Sequence, residues 1–159
     1  VANRDAEINR QYFLLVRLIR STIMDSRLAI IFNLENIDIL DYRIAANTLE
    51  IAGDTVVELS QSLMKSNLSK VEQKRIHDFA KDMEEIQIKS IESFISNNRT
   101  LAINAITLQK NNSEKISKIR SSLENKKQIP LAFFDVIYML EKILQSWSDI
   151  TDLVKPSYQ

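Results

Sequence analysis

Glu50 and Asp54 stand four residues apart in Asp41-Tyr42-Arg43-Ile44-Ala45-Ala46-Asn47-Thr48-Leu49-Glu50-Ile51-Ala52-Gly53-Asp54. The stretch reads as helix, so both carboxylates project from one face. Two acids at i and i+4 repel, which disfavours the bare helix by a few tenths of a kcal/mol. A cation, a metal ion or a basic side chain on a neighbouring helix would offset that repulsion. Arg43 and Asn47 share the stripe, so a polar seam of Arg43, Asn47, Glu50 and Asp54 runs along an otherwise apolar helix. Such a seam is either a cation site or a set of interhelical ion pairs.

The elements that would carry it are helical. The chain has 159 residues with one Gly and two Pro, far too few for a sheet with tight turns. At 45% hydrophobic and 26% charged it is an ordinary folded composition with enough length for a core. There is no cysteine, hence no disulfide, no thiolate metal site and no cysteine nucleophile. This suits a reducing compartment, and a cytoplasmic location is expected. Lys+Arg and Asp+Glu both number 21, and the basic clusters (Lys70, Lys74, Arg75; Lys126, Lys127) are short. Direct contact with nucleic acid is therefore not expected. No apolar run reaches the length needed to cross a bilayer, so membrane insertion is not expected either. The first residues are Val-Ala-Asn rather than Met, which suggests sequence upstream.

Periodicity predicts five long helices. The first covers about residues 3–24, with the stripe Ile8, Tyr12, Leu15, Ile19 and Ile23; Tyr12 and Phe13 are expected in the core. Arg27 to Phe32 reads as a short helical turn before Asn33. The second long helix runs from about Ile37 to Met64, its buried side supplied by Leu40, Ile44, Leu49, Ala52, Val56, Leu59 and Leu63. The third runs from Lys70 to about Ser96. It opens on a capping box, Ser69-Lys70-Val71-Glu72, and packs Ile76, Phe79, Met83, Ile86 and Ile91 inward. Asn97-Asn98-Arg99-Thr100 breaks the pattern weakly, so the third and fourth helices are expected to be nearly continuous.

On the fourth helix Leu101, Ala105, Leu108, Asn112, Ile116, Ile119 and Leu123 form a heptad-like seam, with Asn112 a register-setting or partly exposed polar member. Asn125 to Gln128 is a loop. Pro130 suits the first turn of the fifth helix, whose stripe is Phe134, Ile137, Leu140, Leu144, Trp147 and Val154 before Pro156 stops it. Phe133, Phe134 and Trp147 read as core or interface. Long helices with short connections pack as an elongated antiparallel bundle, so the expected class is all-α.

No Gly-rich phosphate loop and no nucleophile–base–acid constellation is present, and no enzyme activity is expected. His77 is the only histidine and reads as a surface or packing residue. A carboxylate-bridged dimetal enzyme on a bundle needs two Glu-x-x-His motifs, which one histidine cannot supply.

Two segments carry a resemblance. Arg4-Asp5-Ala6-Glu7-Ile8-Asn9-Arg10-Gln11-Tyr12-Phe13-Leu14-Leu15-Val16-Arg17 resembles the "rDxEvDRlYfLlvR" helix of archaeal PhoU-like proteins. Leu40-Asp41-Tyr42-Arg43 through Leu49-Glu50-Ile51-Ala52-Gly53-Asp54 resembles their "lDYR…LErIgDha" helix, in the right order and spacing. The likeness is strong over about residues 3–60 and weaker beyond. It implies repeats of a three-helix bundle. Residues 1–66 would be an incomplete first repeat holding the middle and last helices, and 67–159 a complete second one.

The first helix of repeat one would then be missing, supplied upstream or by a partner copy through dimerisation. The resemblance also implies a function: regulation of phosphate uptake in partnership with phosphate-transport and signalling proteins. In many relatives an AbrB/SpoVT-type DNA-binding segment precedes the repeats. A structural dimerisation domain for such a transcriptional regulator is therefore the alternative function.

Bacterial members of the family hold metal ions on E(D)-x-x-x-D motifs. By resemblance, the metal ligands here would be Asp5, Asn9, Glu50 and Asp54, with Glu7 nearby. Asn9 stands where the family prefers a carboxylate, and it offers a carbonyl oxygen without charge. Three acids and an amide would hold a divalent cation or iron loosely, if they converge. In repeat two the matching positions fall near Asn112 and Ile116, and Glu141-x-x-x-Gln145 replaces the acidic pair. The competing reading has Arg10 and Arg43 neutralising the acids. Gly53 is expected at a close helix–helix approach, since Gly costs about 1 kcal/mol relative to Ala within a helix.

Overall fold

A computed structural model describes residues 2–66, 68–124 and 131–154, with the side chains of residues 2–5 and 122–124 outside that description. All regular structure among these residues is helical: α1 (Ala2–Met24), α2 (Ser26–Ile31), α3 (Asn36–Lys65), α4 (Lys70–Ile95), α5 (Arg99–Glu124) and α6 (Leu131–Thr151). The five expected long helices are present, and the Arg27–Phe32 turn is the short helix α2. The loop expected at 125–128, Leu123's place in the seam, Pro130 and Pro156 lie outside the described residues. No described helix is long and apolar enough to cross a membrane.

The helices are delimited by local chemistry. Asp25 caps α2: its carboxylate accepts the Arg27 backbone N–H at 3.0 Å and the Arg27 guanidinium at 2.8 and 2.9 Å. The guanidinium contact holds the Asp25 carboxyl below its ordinary value. Asn33, with φ 51°, ends that helix; the Leu34 N–H donates to the Ala29 carbonyl at 2.9 Å, closing a left-handed cap. The expected capping box opens α4: the Ser69 hydroxyl accepts from the Glu72 N–H, and the Glu72 carboxylate accepts from the Ser69 N–H.

The α4–α5 junction differs from expectation. The chain breaks sharply there instead of running on. Asn97 takes φ 47°, the Asn98 N–H donates to the Ser93 carbonyl, and the Asn98 side chain caps α5 through the Leu101 N–H at 3.2 Å. Asparagine tolerates the left-handed region better than other side chains, so the paired asparagines form a cap and a start rather than a weak interruption.

The chain divides into two compact units, Val1–Val57 and Glu58–Gln159, so the division falls inside α3. In the second unit α4, α5 and α6 pack mutually as a three-helix bundle. Its core is Phe79, Met83 and Ile86 from α4, Ala102, Ala105 and Ile116 from α5, and a wide face of α6 from Phe133 to Ile150. On α6 the expected Ile137, Leu140, Leu144 and Trp147 are buried, Phe133 points in where Phe134 was expected, and Val136, Ile143 and Ile150 widen the face. On α5 the buried line is Ala102, Ala105, Gln109, Asn112 and Ile116, flanked by half-buried Leu101, Leu108 and Ile119.

In the first unit α1 packs on α3. Ile39, Ala45, Ala46, Thr48, Ala52 and Thr55 are the buried residues of α3. Of the expected stripe Ala52 is buried and Leu59 and Leu63 are half-buried, whereas Leu40, Ile44, Leu49 and Val56 are exposed, which corrects those four. On α1, Ile19 is buried and Tyr12 half-buried, whereas Ile8, Leu15, Ile23 and Phe13 are exposed; Phe13, at 61%, is not core.

Candidate functional site

The site is assembled from the two helices that carry the sequence motifs. Ile8 on α1 lies over Gly53 on α3: a Cβ at residue 53 would stand 3.3 Å from Ile8 Cδ1 and 3.5 Å from its Cγ2. Further along, the Arg43 guanidinium lies 5.5 Å from the centre of the Tyr12 ring, a cation–π contact. Ile19 and Ile39 then line one pocket together. Rising numbers on α1 thus meet falling numbers on α3, and the pair is an antiparallel hairpin.

Gly53 does sit at a close approach, but the neighbour is the end of a side chain rather than backbone. Ile8 is 39% exposed and free to turn aside. Gly53→Ala is therefore expected to stabilise the chain by about 0.5 kcal/mol. The helix-propensity gain of up to about 1 kcal/mol exceeds the cost of shifting one methyl. Thermal unfolding of the variant checks this.

Helical periodicity separates the two edges of the hairpin. Arg43, Asn47, Glu50 and Asp54 follow one edge. Asn47 and Glu50 are half-buried, Asp54 is exposed, and Glu50 is engaged in a further interaction. Asn9, half-buried on α1, follows Ile8 and so lies level with Gly53–Asp54. The backbone of Asp5 belongs to the first turns of α1, but its side chain is outside the described residues. Among the described residues no three His, Cys, Asp or Glu side chains converge as a metal site. Arg10 is exposed, and Arg43 stacks on Tyr12.

The second unit holds no counterpart of this edge among its described residues. Asn112 and Ile116 are buried in the bundle core, whereas Glu141 binds the Arg120 guanidinium at 2.6 Å and Gln145 donates to Asp149 at 2.7 Å. The matching positions are divided between core and surface pairing. His77 is exposed on α4.

The other edge of the hairpin is apolar. A cavity of about 250 Å³ opens between α1 and α3, closed at one end by Phe32 and Leu34. Leu15 and Leu18 wall it from α1, and Ile39 and Tyr42 wall it from α3. Leu14, Leu49 and Val56, all exposed, extend this edge along the helices. Sequence reasoning placed Leu49 and Val56 in the core. Their apolar character was the signal, but it does not say whether this chain's own helices cover them.

A second feature escaped the sequence reading. One polar residue from each helix of the bundle meets in the core: the Gln109 amide donates to the Thr151 hydroxyl at 3.2 Å and to the Ser90 hydroxyl at 3.4 Å, and those hydroxyls are 2.9 Å apart. All three are buried. The signal was a serine continuing the Phe79–Met83–Ile86 stripe and a glutamine between Ala105 and Asn112. One turn along α5, Asn112 donates to the Leu108 carbonyl at 3.0 Å, while its Oδ1 is buried without a partner.

Comparison with protein-family models, with curated proteins and with solved structures finds no match for this chain.

Proposed function

We propose that the chain is a non-enzymatic regulatory module of phosphate uptake, of the PhoU-like type, acting by docking to phosphate-transport and signalling proteins. The observation that carries the reading is that the two motif-bearing helices pack on each other in register. Ile8 of the first motif meets Gly53 of the second, so the residues of both motifs share one hairpin. An all-helical chain whose hairpin leaves an apolar edge open suits docking of helices in grooves. Loss of the gene is expected to leave phosphate uptake running in phosphate-replete cells. Unchanged repression would count against the proposal.

The metal set Asp5, Asn9, Glu50 and Asp54 is an accessory part of this reading. Asp5, Glu50 and Asp54 would supply three carboxylates and Asn9 an uncharged amide oxygen, a set that would hold a divalent cation or iron loosely. Elemental analysis after dialysis against Fe, Mn, Zn and Mg in turn is expected to find little metal, lost completely in Asp54→Ala. Stoichiometric, tightly held metal would make the polar edge a true centre.

The alternative, a structural dimerisation domain for an upstream DNA-binding transcriptional regulator, is favoured by the same open edge. It requires neither ligand nor signalling partner. A regulator whose dimerisation alone restores repression would support it over docking.

A further inference from the structure

We infer that the outward face of α1 is a peripheral binding surface for an anionic phospholipid membrane, on which arginines meet lipid phosphates and a few large apolar side chains enter the interface. The inference rests on this face alone and not on the phosphate reading. Contact of this kind lies on a bilayer and is distinct from crossing one, for which no described helix is long and apolar enough.

α1 meets α3 through Ile8, Tyr12 and Ile19. Helical spacing sets Arg10, Phe13, Arg17, Arg20 and Met24 on the opposite side, over about 21 Å of helix. All five are exposed, Phe13 at 61% and Met24 at 87%. Among the described residues none of these three arginines has an ion pair or a hydrogen bond. No described acid shares the stripe, since Glu7 falls on its flank. The chain as a whole is neutral, so the basic excess belongs to this face. Just beyond Met24, α2 buries none of its residues, although four of them are apolar and Ile30 is 78% exposed. Asp25, between the two helices, is held by Arg27, so that pair adds no net charge.

Charge and shape together select a lipid surface among anionic partners. Arginine binds phosphate through a rigid fork, and its aliphatic stem lies along apolar neighbours. Here Phe13 and Met24 are interspersed with the arginines. That mixture matches the headgroup–acyl boundary, with phosphates outermost and hydrocarbon just beneath. A nucleic-acid backbone would use the arginines and leave Met24 and Ile30 bare. An acidic partner helix needs a groove to lie in. These side chains project instead from the convex back of one helix, which a flat, deformable surface fits.

Co-sedimentation of the whole chain with lipid vesicles tests this. Vesicles of phosphatidylcholine with about one-third phosphatidylglycerol are expected to bind the chain, and phosphatidylcholine alone to bind it about tenfold more weakly or not at all. Arg17→Glu with Arg20→Glu is expected to weaken binding to the anionic vesicles by about tenfold or more. Met24→Ser with Ile30→Ser leaves the charge unchanged and is expected to weaken it about fivefold. Lys110→Glu with Lys118→Glu, at exposed positions of α5, changes the net charge as much as the arginine pair does and is expected to bind like the parent. Helical circular dichroism of each variant separates loss of binding from loss of fold. A chain that ignores anionic vesicles at about 1 mM lipid overturns the proposal, as does binding that is indifferent to either stripe variant or falls equally in the lysine control. Capture of the parent by polyglutamate or by single-stranded DNA, with vesicles left unbound, would overturn it in favour of an acidic protein or a nucleic acid.

Discussion

Truncating Ile86 to alanine is expected to cost the three-helix unit about 3–4 kcal/mol. Ile86 is wholly buried at the middle of α4, with Met83 a turn before it and Ser90 a turn after. The loss has two parts: removal of three methyl or methylene groups from an apolar site, and the cavity left behind. Ile86 belongs to one stripe with Phe79 and Met83, and it faces a core in which α6 alone buries Phe133, Val136, Ile137, Leu140, Ile143, Leu144, Trp147 and Ile150. Rods packed on both sides by such side chains cannot collapse into the gap, so little of the cavity cost is recovered. Urea unfolding checks the value. A loss below about 1 kcal/mol would mean that α4 does not pack its Phe79–Met83–Ile86 face against α5 and α6.

The second large effect comes from Asn112→Asp. Asn112 is 2% exposed, its Oδ1 has no donor, and its amide nitrogen is committed to the Leu108 carbonyl. A carboxylate there would lie in a core without a cation and would be driven to its neutral form, with its pKa raised above the unfolded value near 4. The unfolded chain then binds fewer protons than the native one between those two values, so stability falls as pH rises through that window. The expected penalty is about 3–4 kcal/mol at pH 7 and about 1 kcal/mol at pH 4, since stability falls by about 1.4 kcal/mol for each pH unit crossed within the window.

The apolar control Asn112→Leu removes the orphaned acceptor and is expected to stabilise by about 1 kcal/mol. Thermal unfolding of both variants at the two pH values tests the pair. An Asp variant that melts like the parent at pH 7 would mean that water or a cation reaches residue 112.

How far the sequence disclosed the structure depends on where each side chain's partner comes from. Features set within a few residues were readable: the Ser69–Glu72 capping box, the short helix after Asp25, and the α4 stripe through Phe79, Met83 and Ile86. Features set by a neighbouring helix were less so. The expected α3 stripe chose large apolar residues, yet its buried set is mostly Ala and Thr, with Ala52 the one residue common to both. Phe133 and Phe134 are equivalent by composition, and only the placement of α4 and α5 decides that Phe133 turns inward.

Of the candidate site, the pairing of Asn9, Glu50 and Asp54 on one edge follows from helical spacing and the register at Gly53. The apolar edge opposite them was hidden, because a run of leucines reads the same whether it faces a core or a partner. The Ser90–Gln109–Thr151 layer was hidden for the converse reason. Nothing local marks these polar residues as internal, and only three helices meeting at one level satisfy them inside.

The most direct test of the account is binding of this chain to the purified ATPase subunit of a phosphate transporter from the same cell. Isothermal titration should give saturable binding with a Kd of about 10 µM or tighter, and Leu18→Glu, at the apolar edge, should weaken it at least tenfold. The account predicts binding and predicts no turnover of phosphate compounds by the chain alone. An ATPase subunit that ignores the chain at about 100 µM, with and without nucleotide, would contradict the docking role and leave only the structural one.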